Sequence, residues 1–167
     1  MQLSMYQASV PPFLQMLGNL ENILDKAAAH CEERKIGADV LAQTRLFPDM
    51  FPMCRQIQIA TDQAKGCVAR LAGIEIPKYE DNETTLPELK DRLAKTIAFI
   101  KSVKPEQIDG SEDKAISLKV GGTERNFTGK DYLLNFVLPN VYFHATTTYA
   151  ILRAGGVALG KKDFLGQ

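Results

Sequence analysis

The sequence predicts a mainly α-helical protein, a four-helix bundle with a long crossover and a small β-hairpin ahead of the fourth helix. Three observations carry this reading. Apolar residues recur at the helical spacing along four long stretches, and proline and glycine punctuate the chain at the ends of those stretches. One short segment instead alternates apolar and polar residues around Gly121-Gly122, a period of two rather than 3.6.

The first helix is expected to begin near Pro11 or Pro12, since proline is tolerated at a helix start, and to run to about Arg34 or Lys35, with Gly37 as its stop. Phe13, Met16 or Leu17, Leu20, Ile23 or Leu24, Ala27 and Cys31 form its buried stripe, and His30 lies beside it as a boundary residue. Gly37 to Pro48 is a connector, with a short helix capped by Asp39 and a turn at Leu46-Phe47-Pro48. The second long helix spans roughly Asp49 to Leu71 and ends at Gly73, with Pro52 in its first turn. Its small residues Ala60, Ala64, Gly66 and Ala69 admit close approach by another helix.

A polar crossover from Glu75 to Thr84 leads to the third helix, where Thr85 and Glu88 form a capping-box pattern. Leu86, Leu89, Leu93, Ile97, Ile100 and Val103 give it a clean apolar stripe, and no chemistry is expected on it. After a connector from Pro105 to Asp113, Ile116, Leu118 and Val120 alternate with polar residues, and Gly121-Gly122 suits a two-residue type I′ turn. That register sets Val120 opposite Thr123, Leu118 opposite Arg125 and Ile116 opposite Phe127. Thr128 then caps the fourth helix, which ends at Gly155-Gly156. The tail from Val157 is too short for another element and is expected to fold back over the bundle end through Val157, Leu159, Phe164 and Leu165.

Length and charge bound the function. A chain of 167 residues fits one domain spanning 1–167, large enough for a substantial core. Twenty basic and twenty acidic residues cancel with no block of like charge, which argues against nucleic-acid binding, since that needs a basic footprint. No apolar run reaches the length of a membrane span and the N-terminal residues lack a signal-peptide pattern, so the expectation is a soluble, cytoplasmic protein that meets no membrane. Cys31, Cys54 and Cys67 are odd in number and widely spaced, which fits buried thiols rather than a disulfide framework or a zinc knuckle.

The fourth helix carries the candidate site. Pro139 lacks an amide hydrogen and clashes with the preceding turn, so it should bend the helix beside Asn140 and His144, which lie one turn apart on one face. The pocket candidates are His144, Asn140, Tyr149 and Thr148 on this helix, and Gln58 and Asp62 on the second, if either leans towards His144. In the competing reading Asn140 caps the broken turn and His144 is a hydrogen-bonded core residue. The run Thr146-Thr147-Thr148 is unusual in a helix and could serve a close helix contact across a dimer.

Two segments carry a family resemblance: RLFPDMFPMCRQIQIATDQAKG, beginning at Arg45, and FHATTTYAILRAGGVALGKKDFLG, beginning at Phe143. With four long helices and a long crossover, they resemble the DinB/YfiT-like superfamily and, within it, an uncharacterised bacterial family. The resemblance implies a bundle in which three histidines hold a divalent metal, one from the second helix and two from an HxxxH pair on the fourth. It also implies homodimers and, in some relatives, thiol-dependent transfer. With Ile151-Leu152-Arg153 and Gly156-Val157 as anchors, His144 falls on the second histidine of HxxxH and Asn140 on the first, and the second helix holds no histidine. A set of His144, Asn140 and Asp62 or Gln58 is a weaker, harder site than three imidazoles. The leading expectation is therefore a small molecule or partner bound in a pocket around His144, with no cofactor. The alternative is a divalent metal held by His144 in an altered ligand set, or a histidine-based enzyme, a transferase or hydrolase.

Overall fold

The computed structural model describes residues 3–167 and, within them, every side chain but that of Ala38. Among the described residues the protein is mainly α-helical with one two-stranded antiparallel hairpin, as the patterning predicts. Among the described residues the long helices are α1 (Met5–Arg34), α3 (Met53–Ala72), α4 (Leu86–Ser102) and α7 (Leu138–Ala154). Helix α3 packs on α7 and α4, and α1 packs on α4 and α7, so the four close a ring. One apolar cluster fills it, with Phe13, Leu20, Leu24, Ile57, Val68, Leu89, Leu93, Val137, Val141 and Leu152 all fully buried. Among the described residues no helix is long and apolar enough to cross a membrane.

Helix α1 begins well before the prolines expected to open it. Ser4 and Gln7 form a reciprocal capping box, the Asp109 carboxylate accepts the Tyr6 amide at 2.8 Å, and Met5 and Val10 are buried. These gains offset the two donors that Pro11 and Pro12 remove inside the helix. The short α2 (Ala38–Gln43) is present, but Gly37 stands at its N-cap and Asp39 falls in its first turn. Helix α3 opens at Met53 rather than Asp49, because Pro52 is its extended N-cap and the Met53 amide is spent on the Thr44 carbonyl at 2.9 Å. Residues 49–51 are thereby left as a loop against the bundle.

Helix α4 starts at the expected cap: Glu88 Oε2 accepts the amides of Thr84 and Thr85 at 2.8 and 2.9 Å. A single turn, α5 (Pro105–Ile108), precedes strands β1 (Ala115–Val120) and β2 (Thr123–Thr128). Their register matches the predicted pairing throughout, and Gly121 (φ 56°) and Gly122 (φ 83°) supply the left-handed turn it requires. The hairpin is anchored by buried Ile116 and by Phe127, whose ring lies 5.8 Å from that of Tyr132 and 5.3 Å from that of Phe136.

The predicted fourth helix is built in three pieces. Thr128 caps α6 (Gly129–Asp131), a π-helical segment covers Tyr132–Val137, and α7 follows. The Leu138 amide reaches back to the Leu133 carbonyl, a five-residue step, immediately before Pro139. The π turn thus takes up the mismatch that Pro139 would otherwise force into the ladder. The tail does form another element, a correction to the expectation: α8 (Lys161–Leu165) opens with the Asp163 carboxylate on the Gly160 amide at 2.8 Å and lies against α1. Asn19 donates to the Phe164 carbonyl at 2.9 Å, and Val157 and Leu159 are buried anchors.

Candidate functional site

His144 faces α3 from α7 and is nearly buried, at 9% exposure. Its Nδ1 lies 2.7 Å from Gln56 Oε1, and the Gln56 amide nitrogen donates to the Phe51 carbonyl at 3.1 Å. That second bond fixes the carboxamide, so the network assigns the oxygen to face the imidazole and the ring proton to Nδ1. The other ring nitrogen, Nε2, makes no hydrogen bond among the described residues. Burial and the positive charge of Arg55 hold the His144 pKa below its ordinary value, so the ring is a neutral acceptor near neutrality. Phe143 meets the ring edge-on with centroids 5.1 Å apart.

A cavity of about 260 Å³ opens on this imidazole, lined by Asp49, Met50, Phe51, Gln56, Phe143 and His144. The loop left by the late start of α3 forms its outer wall. Phe51 and Phe143 are 56% and 60% exposed, a large apolar surface for a monomer to leave in water.

The other pocket candidates lie elsewhere. Asn140 donates to the Phe136 carbonyl at 2.6 Å, a group within the π turn, and so serves the backbone. Thr148 is fully buried and returns its hydroxyl to the His144 carbonyl at 2.9 Å, while Thr147 does the same to Phe143. Tyr149 packs edge-on against Phe164 of α8, 6.1 Å between centroids, under the tail. Gln58 and Asp62 do not meet His144; the α3 residue that does is Gln56, which sequence reasoning passed over. Gln56 lies three residues after Met53 and four before Ala60, inside the apolar stripe, and that placement was its signal.

Gln58 and Asp62 belong to a second cluster, centred on Arg92 of α4. Arg92 is 2% exposed and binds Asp62 at 2.7 Å, Asp81 at 3.1 Å, Glu83 at 2.9 Å and the Thr61 hydroxyl at 2.7 Å. Gln58 donates to Glu83 at 3.0 Å, Lys65 pairs with Asp62, and Arg55 pairs with Asp81. The ring of Tyr79 covers both Lys65 and Arg92, at 4.0 and 5.2 Å. Helix α4 therefore does carry polar chemistry, against expectation. Arg92 sits three residues after Leu89 and four before Thr96, again within the stripe.

Among the described residues no three His, Cys, Asp or Glu side chains converge as a metal-ligand set. The donors that would complete a site at His144 are engaged: Asn140 with a carbonyl, Asp62 with Arg92 and Lys65, and Gln56 with the imidazole itself. The donor chemistry does not fit a three-nitrogen metal centre. The three thiols are buried and free, and burial raises the pKa of each, which leaves them weakly nucleophilic.

Residues 5–165 match a family described as a domain of unknown function, DUF1993. The fold is similar to a crystal structure of a DinB family member from Shewanella denitrificans. That match has 41% sequence identity and a TM-score of 0.87, and covers 97% of this chain and 92% of the other. No curated protein matches the chain.

Proposed function

The chain belongs to the DUF1993 family, within the DinB-like proteins, and from that premise we propose that it binds a small, largely apolar molecule in the cavity beside His144. The observation that carries this is the state of the imidazole. Its Nδ1–H is spent on Gln56, which leaves Nε2 as a fixed acceptor at the wall of a cavity lined by Met50, Phe51 and Phe143. A largely apolar chamber with a few oriented polar groups is the usual form of a small-molecule site. The ligand donates to Nε2 and fills the space between the phenyl rings. Such binding requires no resident metal.

Benzyl alcohol and toluene test this, since they share a ring and differ in a donor. Benzyl alcohol is expected to bind several-fold tighter, the equivalent of one net hydrogen bond of about 1 kcal/mol. It should also move the His144 Nε2 resonance in nitrogen-15 spectra. In His144→Ala the difference between the two probes should vanish. Absence of any shift at His144, Phe51 and Phe143 with either probe would overturn the reading. Elemental mass spectrometry on protein purified without chelator or histidine tag provides the second arm. Stoichiometric metal lost in His144→Ala would replace it with the metalloprotein alternative.

A further inference from the structure

Resting on that reading, we propose that the ligand class is an organic ammonium: a primary amine carried on an aromatic or aliphatic body. The side-chain polar groups of the cavity decide this. His144 Nε2 offers a lone pair. One Gln56 N–H is spent on the Phe51 carbonyl and its oxygen on His144 Nδ1–H, which leaves one amide N–H. Asp49 sits at the mouth, is exposed, and makes no hydrogen bond or ion pair among the described residues. The set is therefore rich in acceptors, one neutral and one anionic, against a single amide N–H.

The apolar walls point the same way. Phe51 and Phe143 line the cavity with exposed rings, and aromatic faces attract a desolvated cation. An ammonium has three donors and no acceptor, which is the complement of this set. A carboxylate or phosphate would be repelled by Asp49 and would find only the one Gln56 N–H among the lining side chains. Of the nearby cations, Arg55 is paired with Asp81 and Gln58, and Arg45 donates to the Met50 carbonyl at 2.8 Å. In the bound state the ammonium donates to Nε2, a second N–H reaches the Asp49 carboxylate, and the hydrocarbon body packs against Met50 and Phe51.

The test is a set of isosteric probes near neutral pH: benzylamine as its ammonium, benzyl alcohol and benzoate, titrated against the full chain by nitrogen-15 spectroscopy and calorimetry. Benzylammonium is expected to bind about tenfold tighter than benzyl alcohol, with benzoate weakest, from the added charge-assisted bond and ring contacts. Asp49→Asn, a change on an exposed loop residue, should erase most of that preference, read as the ratio of the ammonium and alcohol affinities. Equal binding of alcohol and ammonium, a preference for benzoate, or an ammonium preference that persists in Asp49→Asn overturns this inference and leaves the small-molecule site standing. Failure of all three probes to perturb His144, Phe51 or Phe143 overturns the site itself.

Discussion

At His144 one hydrogen bond decides which nitrogen is available for chemistry. Gln56 holds the proton on Nδ1, so Gln56→Leu should leave a buried N–H unpaired and cost about 1–3 kcal/mol in urea denaturation. It should also release the tautomer, visible as a second population in the ring nitrogen spectrum. The lowered pKa has a definite sign in stability. The unfolded chain takes up the proton more readily than the folded one, so the contribution is complete above the ordinary value of 6.5 and is lost as pH falls through the lower folded-state value. Wild type should therefore lose more stability than His144→Gln on acidification through that range. The position of His144 was legible from the helical spacing and the family pattern. Its partner was marked only by its place in the apolar stripe, which says that Gln56 turns inward but not which group on the opposing helix it meets.

Among the elements, the hairpin was the most legible, since a Gly-Gly turn and strict alternation admit one register. The start of α1 was the least legible, because its cap depends on Asp109, far along the chain, as well as on Ser4. Helix α8 was missed for a similar reason. Five residues do not hold a helix in water, and this one is fixed by α1 through Asn19, Gln15 and the Lys26–Asp163 pair. Gly166 completes it at φ 75°, and a Cβ there would stand 2.5 Å from Asn19 Oδ1. Truncation after Gly160 should strip Phe164 from Tyr149 and leave the Asn19 amide without its carbonyl. The expected loss is about 2 kcal/mol from apolar exposure and the orphaned group, read as a lower urea midpoint with native far-UV dichroism.

For the whole molecule, the ring of four helices followed from periodicity, while the joint between α3, α4 and the crossover did not. Arg92, Arg55 and Lys65 face Asp62, Asp81 and Glu83, three charges of each sign, so the cluster carries no net charge that composition could reveal. Arg92→Met should cost about 3 kcal/mol, since it leaves carboxylates of partly buried residues without their central cation. The crossover from Ile74 to Thr85 should become the first site of limited proteolysis. Arg92→Lys restores charge without the planar fork and is expected to recover only part of the loss.

The π turn also sets a phase. The chain upstream of Tyr132 is clocked by the hairpin and the chain downstream of Pro139 by α3, and the turn holds one residue more than a continuous α-helix would need. Deleting the exposed Leu134 should let the helix close regularly with both halves keeping their faces. A second deletion, taken from the regular α-helix between Pro139 and His144, should turn one half against the other by about 100°, so that either the strands leave their seat or His144 swings away from Gln56. The π turn is thus a tolerance in length between the seating of a sheet and the aim of an imidazole.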